Sequence, residues 1–408
     1  MDQPEHVLVV GAGLGGLRTV ERLRALGHQG RISLVGAEPH APYDRPPLSK
    51  QVLTGEWGPE RTRLRDDDAL DELGVRLHLG MPATALVHHG DGLELQLADG
   101  AALHGDAAVI ATGLAARRLP GQPRSAATLR TLQDALALRT ALDAARSLLV
   151  VGGGFVGAEV ASAAVGRGIA VTVLEALDVP AERALGPVGG ALAARLQRDA
   201  GVELRTGVRI ADFRDRGVVL ADGTEISADA VLVGVGGVPQ LDVLPATGPD
   251  GAPLDLSDGV ACGPTGRVRG LPGVWAVGDA ARWDGHRSEH WTSAVDQAAV
   301  AAADVLDTAA PPATVPYFWS DQFGCKIQLI GRADRADAVV GLLGGGPAGG
   351  PVRGTVLGHL RGDELVAVTG FGAARHVARF RALVGGGATR ADAEALAATL
   401  QQGVAARS

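Results

Sequence analysis

The chain has only two cysteines in 408 residues. They are Cys262 and Cys325, 63 positions apart, and no CxxC or CxxxxC pair occurs. This excludes a zinc knuckle, an iron–sulfur cluster held by the chain itself, and a closely spaced redox dithiol, so no metal site is expected. Both cysteines read as small reduced core residues. Basic charge is outweighed by acid: the net charge is −8 and the pI near 5.8. That argues against nucleic acid as the main partner, while leaving room for a local basic patch. There is no uncharged apolar run of 18 residues, so no transmembrane helix is expected. The opening MDQPEH has neither the basic segment nor the apolar core of a secretory signal. A soluble, cytoplasmic protein without a membrane partner is expected. Aromatics are also few, at 3%, beside 59 glycines. The Ala, Gly and Arg excess reads as genomic composition bias.

What is present is apolar residue in quantity. A 408-residue chain that is 46% hydrophobic exceeds one ordinary core, so two or three domains are expected. His6–Val10 is a short apolar run. Residues 14–26 then carry Leu14, Leu17, Val20, Leu23 and Leu26 at helical spacing, Gly27 stops the helix, and residues 31–35 form the next strand. The same order returns as strand Ser147–Val151, a glycine turn over residues 152–157, a helix over 158–167 and a strand over 170–175. Gly11 and Gly152 lie 141 positions apart, which marks a duplicated βαβ unit rather than a short solenoid repeat. Each unit is followed by alternating strands that end in a matching apolar segment, AAVIATG at residues 107–113 and AVLVGVGG at 230–237.

Between the units lies PHAPYDRPPLSK, with Pro42, Pro46 and Pro47 close together. Such a segment is neither regular helix nor central strand, and a long stiff loop of this kind is usually functional. From about residue 316 the pattern changes. Strands over 326–330, 338–342, 355–360 and 365–369 are separated by glycine stretches such as GLLGGGPAGGP, and a helix is expected over 372–384. This predicts a third, α+β domain, with the GGGPAGGP run as a flexible hairpin tip.

A single GxGxxG is weak evidence, but here it occurs twice, each time after a strand and opening a helix. The first is Gly11, Gly13, Gly16; the second is Gly152, Gly154, Gly157. The first glycine permits the tight turn, the second lets backbone approach a pyrophosphate, and the third lets helix and strand pack closely. The helix N-terminus then offers amide donors and partial positive charge to the phosphates. An acid about 20 residues on binds a ribose diol. Glu38 lies 22 past Gly16 and Glu175 lies 18 past Gly157. Two dinucleotides are therefore expected. Hydride from a nicotinamide needs an acceptor, and a flavin accepts two electrons and releases them singly. VWAVGDAA, residues 274–281, is an apolar strand ending in Gly278 and Asp279 before a helix. Asp279 can accept a hydrogen bond from a ribityl hydroxyl, or it can be a helix N-cap.

GAGLGG, ATG, GGGFVGAE and VWAVGDAA resemble the two-dinucleotide disulfide-reductase superfamily. PYDRPPLSK at residues 42–50 and YFWSDQFGCKIQLIG at 317–331 are more specific. Over about residues 5–385 the chain resembles the FAD-dependent NAD(P)H:ferredoxin (rubredoxin) reductases of bacterial oxygenase systems. The resemblance implies an α/β fold with two Rossmann-like, glutathione-reductase-like domains plus a C-terminal α+β domain. It implies FAD binding by residues 1–113 and 240–315, NAD binding by 114–239, and a C-terminal domain over 316–408. It also implies that Arg45 and Lys50 touch the flavin, with Lys50 beside its reactive edge and Glu159 paired with Lys50. Arg130, Asp279 and Trp291 match FAD-lining positions, and Trp319 matches an aromatic near the nicotinamide. Glu159 can instead serve as a partner of its helix N-terminus, and Trp291 and Trp319 as core. Two residues depart from the family pattern: His290, where Ser or Thr is common, and Cys325, usually not cysteine.

The function implied is NADH-dependent reduction of a ferredoxin, with FAD as cofactor and NADH as co-substrate. The ferredoxin would serve a cytochrome P-450 or a Rieske-type oxygenase, and the reductase would act as monomer or homodimer. A rubredoxin reductase and an NADH-binding redox-signalling flavoprotein are the alternatives. Thiol–disulfide reductases, coenzyme A-disulfide reductases and NADH peroxidases need cysteine in the loop after the first unit, and residues 36–60 contain none.

Overall fold

The central strands are aliphatic on both faces because both faces are covered. In His6–Val10, Val7 and Val9 pack on one side and Leu8 and Val10 on the other, all at 2% exposure or less. The computed structural model describes residues 3–90, 92–344 and 349–405. It divides into two units. One is Met1–Asp44, Glu60–Ala115 and Gly237–Ala313; the other is Arg45–Pro59, Ala116–Gly236 and Thr314–Ser408.

In the first unit a parallel sheet runs in the order Val274–Ala276, Ala107–Ile110, His6–Val10, Arg31–Gly36, Arg76–Leu79. Helices Leu14–Ala25 and Trp291–Val305 cover the Val7/Val9 face through Val20, Leu23, Ala301 and Val305. The Leu8/Val10 face is covered by an antiparallel sheet of Ala83–His89, Gly92–Leu97 and Ala102–Gly105, through Leu86, Leu93 and Leu95. Period-two alternation of one strand thus feeds two separate cores.

The second unit repeats this plan. Its parallel sheet runs Glu203–Arg205, Ala170–Leu174, Ser147–Val151, Ala230–Val233. Leu148 and Val150 face helices Leu132–Ala144 and Phe155–Gly166, while Leu149 and Val151 face the antiparallel strands Ile210–Arg214 and Gly217–Leu220. The unit continues into a five-stranded antiparallel sheet, ordered Tyr317–Gln322, Cys325–Gly331, Glu364–Phe371, Thr355–Arg361, Ala338–Leu343. Helices Ala374–Gly385 and Arg390–Ala405 bury Val377, Phe380, Ala393 and Ala397 on one face. Leu185, Leu192 and Leu196 of helix Glu182–Asp199 pack with Ile327, Leu357 and Phe371 on the other. Among the described residues no helix is long and apolar enough to cross a membrane.

Several elements differ from expectation. The helix after the second glycine turn starts at Phe155, not 158, because the third glycine lies inside its first turn. Strand Tyr317–Gln322 and helix Arg390–Ala405 were not expected: the strand is half-exposed at a sheet edge, and the helix carries only a thin Ala-rich stripe. Residues 345–348 of the expected hairpin tip lie outside the described residues. The strands on either side, Ala338–Leu343 and Thr355–Arg361, pair antiparallel.

One buried titratable group gives the C-terminal sheet an acid sensitivity. His359 is 2% exposed, its Nε2 shares a hydrogen bond of 2.7 Å with Thr369 Oγ1, and burial pushes its pKa down to about 4. Between pH 6.5 and 4 the unfolded chain therefore binds a proton that the folded one refuses, so stability is full above pH 6.5 and lost as pH falls towards 4. The whole effect is about 3 kcal/mol. Chemical unfolding at pH 7 and pH 4 should show the wild type losing more stability than His359→Leu by roughly that amount. Equal losses would place the acid sensitivity in other groups.

Candidate functional site

At the first glycine turn the chain leaves strand His6–Val10 with Gly11 at φ +116°, its N–H donating to the Val35 carbonyl at 2.7 Å. A β-carbon on Gly11 would lie 2.2 Å from the Ala111 carbonyl oxygen, and one on Gly16 would lie 1.9 Å from that of Gly11. Both positions therefore require glycine. Gly13 differs: it is extended backbone, and a β-carbon there meets nothing within 4 Å. The helix it opens has no side-chain cap and no acidic residue in its first turn. Its free amide ends thus open onto a cradle that suits a pyrophosphate.

The second turn repeats these features. Gly152 has φ +103° and donates to the Leu174 carbonyl at 2.8 Å. A β-carbon would lie 2.4 Å from the Gly234 carbonyl oxygen at Gly152 and 2.2 Å from the Gly152 carbonyl oxygen at Gly157, while Gly154 again has open space. Helix Phe155–Gly166 likewise lacks a side-chain cap and an acid in its first turn.

The acids sit at the same sheet edge as the glycines, past the carboxyl ends of the parallel strands. Glu38 follows Arg31–Gly36 and accepts from the Tyr43 hydroxyl at 2.7 Å. Glu175 follows Ala170–Leu174; its two oxygens accept from Gly153 N at 2.8 Å and Leu177 N at 2.9 Å. Glu175 is thereby anchored beside the second cradle. Asp279 follows Val274–Ala276, but the expected helix after it is absent. Gly278–Ala280 is a single 3₁₀ turn leading into strand Ala281–Trp283, and the next helix begins at Trp291. The N-cap reading of Asp279 is therefore corrected. Gly278, at φ +72°, donates to Gln297 Oε1 at 2.7 Å, so Gln297 pins this turn from the covering helix. Trp291 donates its indole N–H to Asp44 at 2.8 Å.

In the second unit, residues Pro46–Ser49 form a 3₁₀ turn and Gln51–Thr54 one helical turn, with Lys50 between them. Proline suits the start of such a turn because its fixed φ matches and its missing N–H has no partner to lose. The turn carries Lys50 to Glu159, with Nζ 2.6 Å from Oε2. Ser49 Oγ donates to the same oxygen at 2.5 Å, and Ser320 Oγ donates to Oε1 at 2.6 Å. The sequence reading missed both serines, because they stand 110 and 161 positions from Glu159. Arg45 donates to the Arg130 carbonyl at 2.6 Å. Trp319 stacks on Tyr317 with ring centroids 5.8 Å apart, and Phe155, first residue of the glycine-turn helix, meets Phe318 at 4.4 Å.

Neither cysteine is poised for thiolate chemistry. Both are free and buried; burial pushes the Cys262 thiol up to about 12 and raises that of Cys325.

Duplicated parallel sheets, each with an uncapped glycine turn and an anchored acid, define an oxidoreductase of two dinucleotides. The pyridine nucleotide-disulphide oxidoreductase family matches residues 5–298, and the reductase C-terminal family matches 317–402. The chain belongs to the pyridine nucleotide-disulphide oxidoreductase family. It is 32% identical to putidaredoxin reductase of Pseudomonas putida, over 90% of this chain and 89% of that one. It is 36% identical to the ferredoxin–NAD(+) reductase component of the biphenyl dioxygenase system of Paraburkholderia xenovorans (strain LB400), over 93% of each. The crystal structure of the covalent putidaredoxin reductase–putidaredoxin complex superposes with a TM-score of 0.85 at 30% identity, covering 93% of each chain. Ferredoxin–NAD(+) reductases of this family use FAD and NADH.

The two glycine classes separate fold from cradle. Gly157→Ala forces a β-carbon against backbone and should cost about 2–3 kcal/mol. Gly154→Ala faces open space and should cost under about 1 kcal/mol, the difference between Gly and Ala at an N-cap. Urea unfolding of both variants checks this; equal losses would refute the close-packing argument.

Proposed function

We propose that the chain is an FAD-dependent NADH:ferredoxin oxidoreductase serving a cytochrome P-450 or Rieske-type oxygenase. The observation that carries this reading is the pair of uncapped glycine cradles in a chain whose only cysteines are buried thiols. Two dinucleotides without a reactive thiolate suit transfer to an external one-electron acceptor. The names of relatives matched over about nine tenths of their length, putidaredoxin reductase and ferredoxin–NAD(+) reductase, support the choice of acceptor.

We assign FAD to residues 1–113 and 240–315, NADH to 114–239, and a C-terminal domain to 316–408. FAD, when bound, accepts a hydride from NADH and gives up electrons one at a time. Gly11, Gly13 and Gly16 would present amides to its pyrophosphate, and Glu38 would accept from its ribose. Arg45, Arg130, Asp279 and Trp291 would line it. Lys50, held by Glu159, would offer positive charge where the reduced ring gains negative charge. Trp319 would stand at the nicotinamide, and Gly152, Gly154, Gly157 and Glu175 would hold the rest of NADH. A cytoplasmic monomer or homodimer, bound to neither membrane nor nucleic acid, fits two free thiols and a net charge of −8.

Ferredoxins are typically acidic, so docking on a protein of net charge −8 needs a local basic patch. Two basic clusters are candidates, Arg61, Arg63 and Arg65 after the proline-rich loop, and Arg375, His376 and Arg379. In the first, Arg63 pairs with Asp67 at 3.1 Å and Arg65 with Glu21 at 2.6 Å. Arg375 and Arg379 are exposed one turn apart on helix Ala374–Gly385, away from buried Val377 and Phe380. This helix is the proposed docking element. Purified holoenzyme should reduce a candidate ferredoxin with NADH, and Arg375→Glu/Arg379→Glu should raise KM for ferredoxin while leaving ferricyanide reduction intact. Failure with every ferredoxin, alongside normal ferricyanide reduction, would overturn the choice of partner.

NADH should be preferred over NADPH. Glu175 is fixed by two amides, and no Arg or Lys lies between it and Glu182 to receive a 2′-phosphate. A preference of about 100-fold in kcat/KM is expected, on the order of 3 kcal/mol. Equal values for the two cofactors would refute the role of Glu175.

A further inference from the structure

Glu159 is a carboxylate 6% exposed, and its surroundings are more elaborate than a single ion pair requires. Lys50 Nζ and Ser49 Oγ share Oε2, Ser320 Oγ takes Oε1, and Gln322 Nε2 donates onward to Ser320 Oγ at 3.2 Å. Ser320 is 0% exposed, Gln322 3% and Ser49 6%. Lys50 itself has one further anchor, the Pro46 carbonyl at 3.2 Å.

The geometry has a consequence for where the lysine charge can sit. A lysine is a compact point charge on a flexible stem, so its ammonium goes where its acceptor directs it. The terminal torsion of a glutamate is broad, so a carboxylate held at one oxygen can turn. With Ser320 on Oε1 and Ser49 on Oε2, it is held at both. We propose that Ser49 and Ser320 are positioning residues, which clamp Glu159 and through it keep the Lys50 ammonium in one place. The two serines come from distant segments, the 3₁₀ turn Pro46–Ser49 and the edge strand Tyr317–Gln322. Ser320 therefore makes the C-terminal sheet part of the hydride-accepting apparatus. Successive strand residues point to opposite faces, so Trp319 and Ser320 serve different sides of that strand.

This inference rests on the reading that Lys50 acts at the flavin, and the experiment separates the two. Holoenzymes carrying Ser49→Ala, Ser320→Ala, Lys50→Met, and each serine change combined with Lys50→Met are compared. Flavin reduction by NADH is followed in stopped flow, the flavin midpoint potential is measured against reference dyes, and thermal unfolding monitors the fold. Each serine variant should slow reduction about tenfold and lower the midpoint potential, as loss of a group that orients a charge does. Ser320→Thr, which keeps the hydroxyl, should recover most of the loss. Neither serine change should slow reduction further once Lys50→Met is present, because both act through the lysine. If Lys50→Met is slow while the serine variants match wild type, or if the effects simply add, the clamp is refuted and the lysine assignment survives. If Lys50→Met itself reduces normally, the lysine assignment falls and the clamp with it.

Discussion

The close approach of the third glycine to the carbonyl of the first sets the geometry of both dinucleotide folds. At Gly16 and Gly157 a β-carbon would stand 1.9 Å and 2.2 Å from that oxygen, so helix and strand meet with no side chain between them. Because they meet there, the helix begins directly over the strand end, and its uncapped amides face open space beyond Gly13 and Gly154. The remaining polar groups follow from the same edge. Glu38, Asp279 and Glu175 each follow the carboxyl end of a parallel strand, which is where an open α/β sheet places its ligand groups. The double-sided cores beneath hold the strands in register, so the cradle is presented by rigid backbone rather than by a mobile loop.

A buried charge supplies the second constraint. Removing a carboxylate from water costs several kcal/mol unless its oxygens are well satisfied. Glu159 meets that condition with an ammonium and two hydroxyls. Its partners lie on a proline-rich turn and on a sheet edge, so one anion orders three segments that share no sequence neighbourhood. Such a site is sensitive to the loss of any one donor, because each remaining group stays buried with fewer partners. The tie of Glu175 to Gly153 and Leu177 follows the same logic at the surface of the second cradle, where backbone amides hold the acid in place.

The glycine spacing, the acid 22 or 18 residues further on and the alternation of aliphatic residues are all legible in the sequence, because each is a local requirement of strand, turn or helix. So is the pairing of Lys50 with Glu159, through resemblance alone. Asp279 was misread as preceding a helix: its neighbourhood, VWAVGDAA, is equally compatible with a turn, and only the packing of Gln297 onto Gly278 selects that turn. The edge strand Tyr317–Gln322 and the helix Arg390–Ala405 escaped notice, since a half-exposed edge and an Ala-rich face carry little periodic signal.

By itself, then, the sequence determined the duplicated dinucleotide plan, the absence of a closely spaced thiol pair and the close packing of Gly16 and Gly157 on the first glycine of each turn, since these depend on neighbours within a few positions; that Gly11 and Gly152 admit no side chain was decided by the distant carbonyls of Ala111 and Gly234. Only the tertiary structure decided that Ser49 and Ser320 close around Glu159, that Arg45 reaches the Arg130 carbonyl, and that Arg65 pairs with Glu21. These contacts join residues tens to more than a hundred positions apart. No local pattern encodes them; they exist because separate hydrophobic faces, once buried, bring their polar neighbours to the same point.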